Sequence, residues 1–343
     1  MKEAMGKIIG NSSLKARLSN DILSNSLSHA YILEGPQGSG KHTVALMTAA
    51  ALSCESKDDP SKPLPCLSCT NCRKILEGKS PDVIVRGTDG KASIGVDIAR
   101  FMKEDVHLLP NDLEHKVYII EDADKMTVQA QNALLLTLEE PPSFVHFFLL
   151  CENSSSLLET IKSRAPTLRT EPVSDDEIDK YICEYDRRAA QMKLSSTKEY
   201  FEIIRFANGG IGKALELLDA KAWKPVHDMR NLVASFVLDA INRESAEKMI
   251  FHISYLSPKR DVLSEQLELL LNAVRDLILV KKNDDAKLKF YTSADEAIEL
   301  CDRVSLSFLF NLQNAIMCAI DDNKRNANVK LLLTKMLLSA NLI

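Results

Sequence analysis

Chain breakers are scarce in this sequence. It holds 12 glycines and 12 prolines in 343 residues, roughly half the usual share of about 12%. With 45% hydrophobic residues, that scarcity excludes a collagen-like, linker-rich or largely disordered chain. It favours long helices instead. The opening residues, MKEAMGKIIGNSS, lack the apolar core of a secretion signal. No apolar run approaches the ~20 residues that span a bilayer. The expectation is a cytoplasmic protein without membrane attachment. An excess of positive charge is missing too: 43 Lys and Arg stand against 48 Asp and Glu, a net charge of −5. No global basic field announces nucleic acid, although a local patch or partner subunits could supply one. Internal repeats and low-complexity tracts are absent.

What is present is an alternation. Residues 12–27 carry Leu14, Leu18, Ile22 and Leu23 on one helical face, with Asn11 or Ser12 as the cap. Short apolar strands are expected at AYIL (30–33), PDVIVRG (81–87), HKVYIIED (115–122) and VHFFLLC (145–151), with a fifth in PTLRTEP (166–172). Helices are expected between them, at 41–52, 95–109 and 127–142. Residues 54–72, rich in Cys, Pro and Ser, read as a loop. Strands alternating with helices mean a parallel sheet with right-handed crossovers. Beyond Pro172 the pattern is helical: one helix over 174–190, then others. From Trp223 onward no strand is convincing, and Leu263, Leu267, Leu270, Leu271, Val274 and Ile278 form a wide apolar stripe. A length of 343 residues accommodates two or three domains. The boundaries expected are an α/β domain at 1–172, a small helical domain at 173–222 and a helical bundle at 223–343.

The stretch Gly35-Pro-Gln-Gly38-Ser-Gly40-Lys41 fits G-x-x-x-x-G-K after a strand and before a helix, the context that a phosphate loop requires. Its glycines let backbone N–H groups turn toward phosphate oxygens, the helix N-terminus adds its positive end, and Lys41 reaches the β- and γ-phosphates. The following residue should offer a hydroxyl to Mg²⁺. Here it is His42, a poor ligand for a hard cation. Thr43 lies about 100° further round the helix and cannot simply replace it. The bland alternative is a glycine-rich turn without a ligand.

Glu121 and Asp122 end the third strand. P-loop ATPases place an Asp there that orients Mg²⁺, commonly followed by a Glu that orients water. The inverted order moves each carboxylate by about 1.5 Å, enough to misplace a water. The pair reads as a degenerate catalytic pair or, failing that, as an acidic cap on the next helix.

Cys54, Cys66, Cys69 and Cys72 follow the spacing C-x11-C-x2-C-x2-C. Four thiolates in a short segment suit tetrahedral zinc in a structural role. An iron–sulfur pattern wants another Cys after three more residues and then Pro. The sequence offers Arg73-Lys74-Ile75-Leu76 instead, which leaves zinc preferred over iron–sulfur or unrelated thiols. Cys151, Cys183, Cys301 and Cys318 sit in apolar periodic segments and are expected in the core.

Together these residues resemble a bacterial DNA polymerase III clamp-loader subunit of the AAA+ class. The resemblance covers the whole chain. It begins at HAYILEGPQGSGK, includes the four-cysteine insertion, and continues through SPDVIVRG and SIGVDIARFM. IIEDADKMTVQAQNALLLTLEEPP is its most specific stretch, and TIKSRAP closes the ATPase part. The length and the decayed motifs resemble the delta-prime type more than the gamma/tau motor type. The family's Ser-Arg-Cys motif stands here as Ser163-Arg164-Ala165. The resemblance implies that Arg164 is an arginine finger acting in trans, the plain alternative being a surface ion pair. Cys151–Asn153 falls at the sensor-1 position. Lys213, in GGIGKALELL, falls at a sensor-2 basic residue or is a solvated lysine at a helix start. The resemblance further implies an AAA+ domain, a lid and a collar, and a heteropentamer with delta and gamma/tau subunits that loads a sliding clamp onto primed DNA. ATP with Mg²⁺ is expected to bind weakly at best at this chain's own loop. Two rivals remain: a self-sufficient ATPase motor, which His42 and Glu121-Asp122 argue against, and a pure scaffold, which Gly38, Gly40 and Lys41 argue against.

Overall fold

The computed structural model describes Met5 and residues 8–59, 61–282 and 288–343. In chain order the elements are α1 (Ser12–Leu23), β1 (Ala30–Glu34), α2 (Lys41–Leu52), α3 (Thr70–Leu76), β2 (Val83–Arg86), α4 (Val96–Asp105), β3 (Lys116–Ile120), α5 (Val128–Glu139), β4 (Val145–Cys151), α6 (Glu159–Lys162) and β5 (Thr167–Arg169). Helices alone follow: α7 (Asp175–Tyr185), α8 (Arg187–Ser195), α9 (Thr197–Phe206), α10 (Ile211–Leu217), α11 (Ala220–Ile241), α12 (Ala246–Ser254), α13 (Arg260–Lys281), α14 (Ala294–Cys301), α15 (Leu306–Lys324) and α16 (Val329–Ser339).

The five strands form one parallel sheet in the order β2-β3-β4-β1-β5. β3 and β4 are buried at every position, as an apolar central strand in a parallel sheet should be. Alternate residues feed two cores. Tyr31, Leu33, Val117, Ile119, Phe148 and Leu150 pack with α1 and α2 on one face. Ala30, Ile32, Tyr118, Ile120, Phe147 and Leu149 pack with α4 and α5 on the other. Within α1, Leu14 and Leu18 are buried, but Leu23, expected on the same stripe, is 49% exposed at the helix end. Asn11 occupies the N-cap position without capping. Its Oδ1 accepts from the Glu171 N–H at 2.6 Å and its Nδ2 donates to the Glu171 carbonyl at 3.3 Å, so it ties two distant segments of chain together.

Three local expectations need correction. The segment 54–72 is not wholly loop, because α3 begins at Thr70, capped by the Cys69 sulfur, which accepts from the Cys72 N–H. The helix expected over 174–190 is two helices. Asp186 interrupts it, and its carboxylate accepts from the Arg188 N–H to cap α8; a short acidic side chain competes well for free N–H groups. Among the four other cysteines, Cys151 and Cys301 are buried and Cys183 half-buried, but Cys318 is exposed, because α15 turns Ile316, Ala319 and Ile320 inward and Cys318 outward.

The described residues fall into two compact units, one reaching to Tyr181 with Gly209–Lys213 added, the other holding Ile182–Asn208 and Ala214–Ile343. The second unit is all helix. Its main core joins α11, α13, α15 and α16 through residues such as Val237, Leu267, Leu270, Val274, Leu312, Ile316 and Leu337. A smaller cluster of Ile203, Leu217 and Trp223 joins α9, α10 and α11. Among the described residues no single helix is long and apolar enough to cross a membrane.

Asp276 anchors the second core. It is fully buried, its Oδ2 accepts from the N–H groups of Lys289, Phe290 and Tyr291 at 2.8, 2.6 and 3.2 Å, and its Oδ1 faces Arg275 at 3.0 Å. Asp276→Ala leaves buried donors without partners, so it should cost about 3–5 kcal/mol in a urea titration. A loss below about 1 kcal/mol would mean that water replaces the carboxylate at no net cost.

Candidate functional site

The loop from Gly35 to Gly40 leaves the C-terminal end of β1, at the place in the sheet where strand order reverses. Such crevices receive ligands in open α/β sheets. Two glycines are required here for different reasons. A Cβ on Gly35 would stand 2.0 Å from Thr170 Oγ1. Gly38 has φ +78° and a Cβ there would lie 3.3 Å from Gly210 Cα. Gly40 is the N-cap of α2. Ser39 Oγ and Thr170 Oγ1, 2.7 Å apart, brace the loop against β5. A cleft of about 370 Å³ opens in front of it, lined by Gln37, Gly38, Gly40, Lys41, His42, Thr43, Glu121, Asp122, Cys151, Glu152 and Gly212, among others.

Lys41 Nζ donates to the Gly35 and Pro36 carbonyls at 2.6 and 2.8 Å. Burial holds its ammonium below the usual lysine value, against the pull of Glu152, Cys151, Asp124 and Asp122. The Cys151 thiol is pushed up to about 12 by burial, with Asp124 and Glu34 adding to the effect. It is therefore a neutral wall of the cleft. Asn153, expected beside it, turns away to cap a short 3₁₀ turn at Ser154–Ser156. Lys213 lies beside the loop, its Cβ 3.8 Å from where a Cβ on Gly38 would be.

His42 and Glu121, 79 positions apart in sequence, meet: His42 Nδ1 lies 2.6 Å from Glu121 Oε1, each side chain 43% exposed. Thr43 is exposed beside them. Asp122 takes a left-handed backbone and pairs instead with Lys125 at 3.5 Å, with Thr88 Oγ1 at 3.4 Å from its other oxygen. These residues do not fit Mg²⁺. The position that should carry a hydroxyl carries an imidazole, and the carboxylate that should face the cation is engaged by that imidazole. Two further acidic residues were not singled out by their sequence. Glu152 lines the cleft, and Asp124 carries a buried Oδ1 without a partner among the described residues. Glu152 directly follows β4, and the rule that ligands gather beyond strand C-termini points to it.

Arg164 stands at the other end of the sheet, three residues before β5, whereas the phosphate loop follows β1. It cannot serve its own loop. Nη2 meets Glu139 Oε1 at 2.7 Å and Nη1 donates to the Thr160 carbonyl at 2.9 Å, leaving the side chain 34% exposed. Gln131, buried in α5, fixes the approach to this segment: its Nε2 donates to the Met126 and Ser156 carbonyls and its Oε1 accepts from the Leu158 N–H.

The four clustered cysteines converge. Their sulfurs lie within 4.8 Å of one another, close to the ~3.8 Å separation that four Zn–S bonds of ~2.3 Å impose. The N–H groups of Cys66, Cys69 and Cys72 point at the sulfurs of Cys54, Cys66 and Cys69 at 3.4–3.5 Å. Burial raises the Cys66 thiol, but the Ser68 N–H and hydroxyl and the Cys69 N–H outweigh it and hold the group at about 5. The donor set fits a metal ion: all four ligands are sulfur, and they leave no position open for water.

Comparison with known proteins gives one consistent result. Residues 10–174 match the family model described as DNA polymerase III, delta subunit. The chain is 30% identical over 265 residues to the DNA polymerase III subunit gamma of Buchnera aphidicola subsp. Acyrthosiphon pisum, covering 73% of this chain and 71% of that one. It is 32% identical over 213 residues to subunit tau of Bacillus subtilis, covering 62% of this chain but 36% of tau. It is 28% identical over 327 residues to subunit delta' of Bacillus subtilis, covering 94% of this chain and 93% of that one.

Proposed function

Because this chain belongs to the DNA polymerase III clamp-loader subunits of the AAA+ class, we propose that it acts in DNA replication as the delta-prime type of subunit. In this reading it joins gamma/tau and delta subunits in a cytoplasmic heteropentamer that loads the sliding clamp onto primed DNA. Residues 1–172 form the AAA+ part, 173–222 the lid and 223–343 the collar. The observation that carries the assignment is the His42–Glu121 contact at 2.6 Å inside an otherwise intact phosphate loop. A motor subunit needs a cation there to offset phosphate charge, and here the carboxylate that would face it is engaged by His42 instead. The near end-to-end match with a delta' subunit, against partial matches with tau and gamma, supports the same reading.

The chain's contribution to hydrolysis is then Arg164, presented to the neighbouring subunit's γ-phosphate. A guanidinium stays charged and makes forked contacts to phosphate oxygens. Zinc on Cys54, Cys66, Cys69 and Cys72 supplies a closed structural cross-link and no reactive position. The thiolates hold it, and the N–H groups directed at their sulfurs steady them.

The test is turnover by the purified chain with Mg²⁺ and ATP, alone and then mixed with gamma/tau, delta, clamp and primed DNA. Negligible turnover alone and full activity in the mixture are expected. Robust turnover alone, abolished by Lys41→Ala, would transfer the chain to the second reading, a self-sufficient gamma/tau-like motor. That reading is favoured by the intact Gly38, Gly40 and Lys41.

A further inference from the structure

The cleft after β1 keeps every positive feature that binds phosphate without a metal. The start of α2 faces it, the left-handed turns at Gly38 and Gly40 remain, and Lys41 is in place. The features that recruit a divalent cation are replaced. Position 42 has no hydroxyl, and Glu121 Oε1 is held by His42 Nδ1. A hard cation would have to break that contact and accept an imidazole in its coordination sphere, which magnesium resists.

We infer that this cleft takes a nucleoside diphosphate without magnesium, the His42–Glu121 pair standing where the cation stands in a magnesium-dependent site. The inference rests on the AAA+ reading of the phosphate loop and deepens it. Charge decides between diphosphate and triphosphate. Glu121, Asp122 and Glu152 line the cleft, and the Asp124 charge reaches Lys41 as well. In a magnesium-dependent site the cation screens such carboxylates from the terminal phosphate. Here Lys41 and the start of α2 must offset all the phosphate charge, while His42 is paired with Glu121 and Lys213 beside Gly38 already has a partner of its own. A third phosphate adds charge at the acidic end of the cleft, and the shorter ligand wins.

The test uses the full-length chain with its cysteine site intact, so no chelator is added. Sodium ADP and sodium ATP are titrated by calorimetry with and without millimolar magnesium chloride. For ADP, the dissociation constant should change by less than about threefold on adding magnesium, and without magnesium ATP should bind more weakly than ADP. His42→Thr restores a hydroxyl and releases Glu121, so magnesium should then tighten binding by about tenfold. Glu121→Gln keeps position 42 unchanged and should bind ADP with no response to magnesium, which covers a His42→Thr chain that fails to fold. Tightening of the unaltered chain by more than about threefold, ATP preferred over ADP without magnesium, or no heat at millimolar ADP would each overturn the inference. The subunit reading fails separately. A chain that ignores ADP but assembles with gamma/tau and delta sinks only the inference. A chain that does not assemble sinks the subunit reading, whatever ADP does.

Discussion

Arg164→Ala in an assembled loader should lower ATP turnover at one site by about 10³–10⁵-fold, the range over which arginine fingers act. The isolated chain should barely register the change. Arg164 is anchored by an ion pair to Glu139 and by bonds from Nη1 to the Thr160 carbonyl and, at 3.4 Å, to Ser163 Oγ, at a partly exposed position, and such a pair contributes about 0–1 kcal/mol. The contrast between the two readouts is what makes the test informative. A surface ion pair would lose a little stability and no turnover. A finger loses turnover and little stability. Arg164→Lys should recover stability but not rate, because an ammonium lacks the planar fork. The position favours action on a neighbour, since Arg164 precedes β5 while the chain's own phosphate loop follows β1 at the other end of the sheet. Single-turnover measurement on complexes carrying one altered subunit separates the sites. Unchanged kinetics at every site would remove the finger role.

Cys69→Ser should remove stoichiometric zinc and loosen the segment from Cys54 to Leu76. Cys69 caps α3, its sulfur accepts from the Cys72 N–H, and Cys54 and Cys72 sit in the same core as Leu64 and Ile75. A metal bound there would hold α3 against the end of α2. Its loss should cost several kcal/mol, short of the ~10–16 kcal/mol seen where a whole zinc-finger fold depends on the ion. The rest of the sheet keeps its own core. Elemental analysis should find one zinc per unaltered chain and a clear deficit in the variant. Equal metal content in both chains would count against a four-thiolate site.

Much of the site was legible because its signals are local. The phosphate loop shows itself by glycine spacing between a strand and a helix. The cysteine cluster shows itself by three cysteines at intervals of three with a fourth twelve positions before them. The α/β alternation follows from short apolar runs separated by periodic helices. What departed from expectation depended on single positions, through side-chain competition in one case and helical phase in the other. Asp186 splits an apparent continuous helix because its carboxylate captures a free N–H. Cys318 lies in an apolar stretch, yet the phase of α15 turns it to solvent.

The sequence by itself determined the parallel α/β order of the first part, the helical character of the rest, the phosphate loop and the converging cysteines, because each follows from periodicity or spacing along the chain. Only the tertiary structure decided what the loop's altered residues do. His42, at the start of α2 beyond β1, and Glu121, just beyond β3, lie 79 positions apart, and β4 stands between those two strands. Their contact arises because parallel strands deliver their C-terminal ends to one crevice. The same packing put Arg164 at the opposite end of the sheet and Glu152 beside Lys41. A sequence names these groups, but only the order and register of the sheet bring them together or hold them apart.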